Sequence, residues 1–373
     1  MKTLTSRQLG MMLCISIISL KFVYFPAIVS SYARNDAYLS VFIGLVIDFA
    51  LLAIIICVGK YFPDKTLKDI MSNYYGKIVY YLVAGILFFY CIFKSLLAVK
   101  EVHHYFLEFL YEDFTWLWFA TPIIMLVAYV CAKGLRSVGR TVEILFVIIA
   151  LGVVITVLVP IKDVNITYLE PFLSHPKGVI DGIFHTVFAY ADFIIVALTL
   201  GDVTQNDGYD KKILKYALFT YIFVAIFMVI FVGLFKNIGI YKPYAFSDMP
   251  MYTDLPNNSA RLDWFSSIIW TFALLLQICI MMALSATILR NMFPKIKPVA
   301  TGGLCACLLA GGMLGFYMNL SQMIQVTIST PFCVAILVLH VAIPMLLLGA
   351  MLIDKIRVKR SVVQNDGNIK KVT

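Results

Sequence analysis

Lys21 and Asp192 are the residues whose types and setting promise chemistry. Each interrupts an otherwise apolar stretch, SIISLKFVYFP around Lys21 and GIFHTVFAYADFIIVALTLGD around Asp192. An ammonium and a carboxylate so placed can neutralise one another or recognise the charges of a small ligand. A charge facing lipid at mid-depth costs about 2.5–3.5 kcal/mol even on the lenient insertion scale. Lys21 lies about twelve residues into its span, which at ~1.5 Å rise per residue is near the centre. We read it as facing an interior cavity, against the alternative of snorkelling to an interface. Its partner is then Asp192 or carbonyl groups freed by an unwound helix. Asp48, central in another apolar run, suits a proton-relay carboxyl or a partner for a polar group of a neighbouring span. His340 and Pro344 read as a core histidine and a kink.

The elements that hold these residues follow from composition. Of 373 residues, 61% are hydrophobic and 14% charged, against about 45–50% and about 25% in ordinary globular chains. Mean hydropathy is +0.91. Continuous apolar runs near twenty residues predict an all-α integral membrane protein rather than an alternating β-barrel. Ten spans are expected, near 9–31, 37–58, 76–98, 114–131, 141–160, 179–200, 213–236, 262–289, 298–319 and 330–353. Most of the 30 lysines and arginines fall in segments that share a side with the N-terminus, which predicts a multi-pass protein with both termini cytoplasmic. That bias also accounts for the net charge of +9 without nucleic acid. In this count Lys94 and Lys100 belong to the external side.

Ten spans divide five and five, and an odd number makes the second set enter from the opposite face. This is the arithmetic of an inverted repeat, with sites at the midplane where discontinuous helices meet. The expected organisation is one membrane domain over 1–373, with a first repeat over 9–160, a second over 179–353, and a basic, disordered cytoplasmic tail over 354–373. The equivalent helices, one and six, carry Lys21 and Asp192. Pro26 removes a backbone donor and disfavours helix at Phe25, so helix one is expected to break there. The stretch 237–261, turn-rich and external, suits a partner surface, a lid or a plain connector. Glycines 302, 303, 311, 312 and 315 allow close helix contact in span nine, and Trp116 and Trp118 suit an interfacial aromatic belt. The eight cysteines read as small buried hydrophobes, without metal or disulfide spacing. No nucleophile motif, phosphate loop or metal-ligand cluster is present in the sequence, so no enzyme activity and no cofactor is expected. No cleaved signal precedes the first span.

Several segments together carry a resemblance: TSRQLG before span one, Pro26 within it, NDAYLSVFIG opening span two, and KYFPDKTLKDI after it. KGLRSVGRTVEIL enters span five, YLEPFL precedes span six, and RLDWFSSIIW starts span eight. Over nearly the whole chain this order resembles the B-type, permease-like subunit of bacterial spore germinant receptors (GerAB-type proteins of the amino acid–polyamine–organocation superfamily). KGLRSVGRTVEIL is the most specific part; its Arg140 and Glu143 stand three apart on one helical face and can pair. The resemblance implies a LeuT-like 5+5 fold whose spans one, three, six and eight line a midplane pocket. It places Lys21, Tyr24, Pro26, Tyr90, Tyr190, Asp192 and Gln277 at ligand-binding positions, with Lys94 one turn outward from Tyr90. From the residues alone, Tyr90 also suits aromatic packing and Gln277 a helix–helix hydrogen bond.

Implied too are a small polar nutrient such as an amino acid, an A-type membrane subunit, a C-type lipoprotein subunit and the spore inner membrane. Relatives carry glycine before the span-one proline and in the matching part of span six. Here those positions read Leu20-Lys21-Phe22-Val23-Tyr24-Phe25 and Ala189-Tyr190-Ala191-Asp192. Three functions stay open at this point: nutrient sensing, proton- or cation-coupled amino acid transport, and a non-sensing scaffold of the receptor.

Overall fold

The computed structural model describes residues 4–109, 116–204, 208–252, 262–315 and 319–369. Thr5 caps the first helix, its side chain accepting from the Gln8 N–H while the Gln8 side chain accepts from the Thr5 N–H. This reciprocal box satisfies two of the free donors at the helix start and explains the TSRQLG lead-in. A short strand β1 (Leu4–Thr5) leads into α1 (Ser6–Lys21), and α2 (Tyr24–Ala33) resumes after a break at Phe22-Val23. Then follow α3 (Ala37–Tyr61), α4 (Leu67–Tyr74), α5 (Lys77–Phe109), α6 (Trp116–Lys133) and α7 (Leu135–Leu158). The sixth apolar segment is split into α8 (Pro176–His185), a 3-10 turn at Val187–Ala189, and α9 (Ile194–Leu198). Strand β2 (Val203–Thr204) pairs in parallel with β1. The remainder is α10 (Tyr209–Phe235), α11 (Ala245–Tyr252), α12 (Leu262–Met292), α13 (Pro298–Gly315), α14 (Leu320–Ile328) and α15 (Thr330–Ile369).

Seven helices of the described residues are long and apolar enough to cross a membrane. They coincide with seven of the ten expected spans. The other three are the two broken segments and the shorter, glycine-rich α13. A lipid-facing break would leave backbone groups unpaired, so such breaks are tolerated only where protein surrounds them. That condition is met: α1 packs against α7, α10 and α12, and α9 is buried throughout.

Leu4 and Asp354 lie at one face of the bundle. Leu4 pairs with Val203, Lys60 with Asp210 at 2.8 Å, and Tyr61 donates to Asp354 at 3.0 Å. These contacts gather the start of α1, the end of α3, the start of α10 and the lower part of α15.

Three expectations are corrected. Pro26 does not end a helix; it sits in the first turn of α2, where helix N–H groups lack partners anyway. Glu143 does not serve Arg140, which is exposed; it pairs with Arg7 at 3.3 Å and accepts from Gln8 at 3.0 Å, pinning α1 to α7. The stretch beyond Ile353 is not a disordered tail: α15 continues to Ile369, and only 370–373 lie outside the described residues. Within the stretch 237–261, residues Ala245–Pro250 of α11 are buried and α11 packs against α12; residues 253–261 lie outside the described residues. Of the cysteines, Cys57 and Cys307 are exposed on the bundle surface and the other six are buried as expected.

Candidate functional site

The break in helix one is built without glycine. Phe22 and Val23 keep negative φ values, so no left-handed residue is needed there. The released Phe22 carbonyl accepts from the Phe246 N–H of α11 at 3.0 Å. The Phe22 ring stacks between Phe227 and Phe246, with centroids at 4.1 and 5.6 Å. An acceptor that would otherwise be orphaned in hydrocarbon is thereby satisfied.

Segment six breaks by a different device. Ala191 takes φ of +65°, a conformation that costs an L-residue roughly 1–2 kcal/mol. It is held there by Asp48, whose Oδ1 accepts from the Ala191 N–H at 3.0 Å. Ala191→Gly is therefore expected to stabilise the fold. Relief of that strain outweighs the roughly 0.5–1 kcal/mol of added chain entropy, leaving a net gain of about 0.5 kcal/mol. Thermal unfolding of the purified variant in detergent checks this, and a lowered midpoint refutes the strain argument.

These two breaks bring the charges together. Lys21 Nζ lies 2.5 Å from Asp192 Oδ2, and Lys94 Nζ lies 2.8 Å from Oδ1; all three side chains are fully buried. Ser16 donates a third contact to Oδ1 at 3.0 Å. Lys94 also reaches the Tyr190 carbonyl and the Tyr90 hydroxyl, each at 3.4 Å. Lys21 sits over the Tyr190 ring at 5.4 Å. One carboxylate thus serves two ammoniums, and the cluster carries a surplus positive charge. An anionic group brought beside the lysines would balance it.

A second carboxylate borders the cluster. Besides the Ala191 N–H, Asp48 accepts from the Tyr221 hydroxyl at 2.5 Å and faces His340 Nε2 at 3.3 Å. His340 is thus the partner of a buried acid as well as a core histidine. Gly44 lies against the Tyr190 ring, and any side chain there would overlap it.

Of the expected site residues, Lys21, Asp192, Tyr190 and Tyr90 converge. Tyr24 does not join them: its hydroxyl donates to Tyr244 at 2.9 Å on the far side of the break. Pro26 lies beyond it in α2. Gln277 is fully buried in α12, and neither of its amide atoms has a hydrogen-bond partner among the described residues. Lys94, expected one turn outward and counted as external, is instead an equal member of the cluster. Its signal was available: it follows Tyr90 by four residues, on the same helical face. Ser16, Tyr221 and His340 gave no comparable signal. No group of three or more potential metal ligands occurs among the described residues. A cleft of about 550 Å³ between α1, α7 and α10 is walled by apolar side chains such as Ile15, Ile18 and Phe146, and none of the expected site residues lines it.

No curated protein matches the chain. A family model described as "Spore germination protein" matches residues 3–319, a stretch that contains both breaks, both lysines and both buried carboxylates. On that match, the chain belongs to the spore germination protein family.

Proposed function

We propose that this membrane protein is the B-type subunit of a nutrient germinant receptor, with a midplane site for a small polar metabolite at the Lys21–Asp192–Lys94 cluster. Ten spans arranged as two inverted repeats, 9–160 and 179–353, would set the two broken segments face to face. The observation that carries the reading is the one carboxylate shared by two buried ammoniums. Asp192 stands where the carboxylate of an amino acid or similar nutrient would be received. A ligand that takes one lysine away from Asp192 stabilises the arrangement in which the segments have separated. That differential affinity is what shifts a two-state equilibrium and produces a signal. In this reading the lysines replace the backbone N–H groups that a glycine-bearing break offers. An A-type membrane subunit and a C-type lipoprotein would receive the signal at the spore inner membrane, with the termini on the cytoplasmic side.

A transport reading draws on Asp48 and His340, an acid and a base in contact beside the break and able to carry a coupling proton. Proteoliposomes separate the two: accumulation of substrate under a pH gradient marks a transporter, and its absence alongside ligand binding marks a receptor.

The direct test is a nutrient panel applied to spores that carry the parent gene, a deletion, Lys21→Ala or Lys94→Ala. The deletion should abolish the response to one nutrient class. Each lysine variant should raise the concentration needed by tenfold or more while subunit levels hold. Calorimetry on the purified protein should show the same loss of affinity. Lysine variants that germinate like the parent leave only a scaffold role.

A further inference from the structure

Beyond the ion cluster, away from the face that holds Leu4 and Asp354, lies a second and smaller chamber. It is lined by the end of α1, α2, α5, the end of α8 with its following turn, and α14. About 40 Å³ is open to the centre of a water-sized group, against about 10–15 Å³ for one water. Glu101 lines it, seven residues after Lys94 on α5, or about 10.5 Å further along the helix axis. Glu101 is 3% exposed, and its Oε2 has no hydrogen-bond partner among the described residues. The nearby cations are engaged elsewhere. Lys21 and Lys94 are held by Asp192, and Lys100 lies over the Trp116 ring at 4.3 Å.

The remaining polar groups of the lining have spent their protons. Thr186 donates to the Gly182 carbonyl at 2.6 Å, and Thr327 to the Ile324 carbonyl at 2.7 Å. Tyr24 donates to Tyr244. His185 Nδ1 lies 2.6 Å from the Ile328 carbonyl, which requires the proton on Nδ1 and leaves Nε2 as an acceptor in the neutral ring. Every polar atom left to the chamber is therefore an acceptor, except that the Glu101 carboxyl, facing no cation, keeps its proton until a cation enters and the proton leaves to solvent. Phe188 adds an aromatic wall able to face a cation.

We infer that this chamber is a binding site for a primary ammonium group, with Glu101 as its counter-charge and the Thr186 and Thr327 oxygens as further acceptors. Three N–H donors can be met by Glu101, once its proton has left to solvent, and by the two threonine oxygens. Its role as the outer station for the amino end of a nutrient rests on the sensing reading above; the site itself does not. The space admits a group the size of ethylammonium.

The full-length protein in nanodiscs is titrated with ethylammonium chloride, and with sodium chloride, ethanol, sodium propionate and tetramethylammonium chloride as comparison probes. Thermal unfolding followed by tryptophan fluorescence reports binding. Ethylammonium should raise the midpoint in a saturable manner, and the comparison probes should not. Glu101→Gln, an uncharged isostere, should raise the half-saturating concentration at least tenfold and Thr327→Val severalfold. A Glu101→Gln protein that keeps the parent's ammonium response would place the amine elsewhere and overturn the assignment. So would an equal response to sodium, ethanol or tetramethylammonium. Failure of the lysine variants to alter germination, with the ammonium response intact, removes the sensing reading and leaves this site standing.

Discussion

Asp192→Ala should be the most damaging single substitution in the chain, lowering stability by about 3–5 kcal/mol or more. Breaking a buried ion pair by removing one partner typically costs about that much, because a charge is left uncompensated. Here two ammoniums are stranded, since Lys21 and Lys94 share the same carboxylate with no solvent exposure. Lys21→Met or Lys94→Met should be milder, each leaving one ammonium and one carboxylate. The triple variant Lys21→Met, Lys94→Met, Asp192→Leu should regain most of the lost stability, as buried ion clusters replaced by apolar residues of similar volume often do. Thermal unfolding in detergent ranks the variants. An Asp192→Ala protein that melts with the parent would mean that the cluster is not ionised, and the proposed ligand chemistry would fall with it.

Asp48→Ala ranks second, at about 3–4 kcal/mol. Three groups lose their acceptor at once: the Ala191 N–H, the Tyr221 hydroxyl and the His340 ring. Each buried polar group left unsatisfied costs about 1–3 kcal/mol, and the left-handed turn at Ala191 loses its tether. Asp48→Asn retains one acceptor oxygen and should lose about half as much. Because Tyr221 acts through the same carboxylate, Asp48→Ala and Tyr221→Phe should be non-additive by about 0.5–3 kcal/mol. Additive effects would show that Asp48 does not organise the second break, and that its contact with Ala191 is incidental.

Asp48 also shows where reading the sequence stops. As a lone carboxylate in an apolar run it was legible as a relay or a partner, and its contacts fit the second role without excluding the first. Its hold on Ala191 spans 143 residues, and nothing local to either position announces it. The glycine question behaves in the same way. Its absence from both breaks suggested a departed or altered site. The structure shows two substitutes, an α11 donor for the Phe22 carbonyl and an acid-tethered Ala191. Lys94 lies only four residues from the span end expected near residue 98, which suggests an external position, whereas α5 runs on to Phe109 and sets both Lys94 and Glu101 well inside it.

The amino-acid sequence by itself determined the membrane class, the family, and Lys21 and Asp192 as the residues to watch. The membrane class and the two charges rest on the cost of polar groups in hydrocarbon, which local composition reveals, and the family on the order of its motifs. Only the tertiary structure decided that Asp192 serves two lysines, that α11 completes the first break, and that Glu101 heads a chamber of acceptors. Pairing and enclosure depend on where distant helices cross, and no single segment records that.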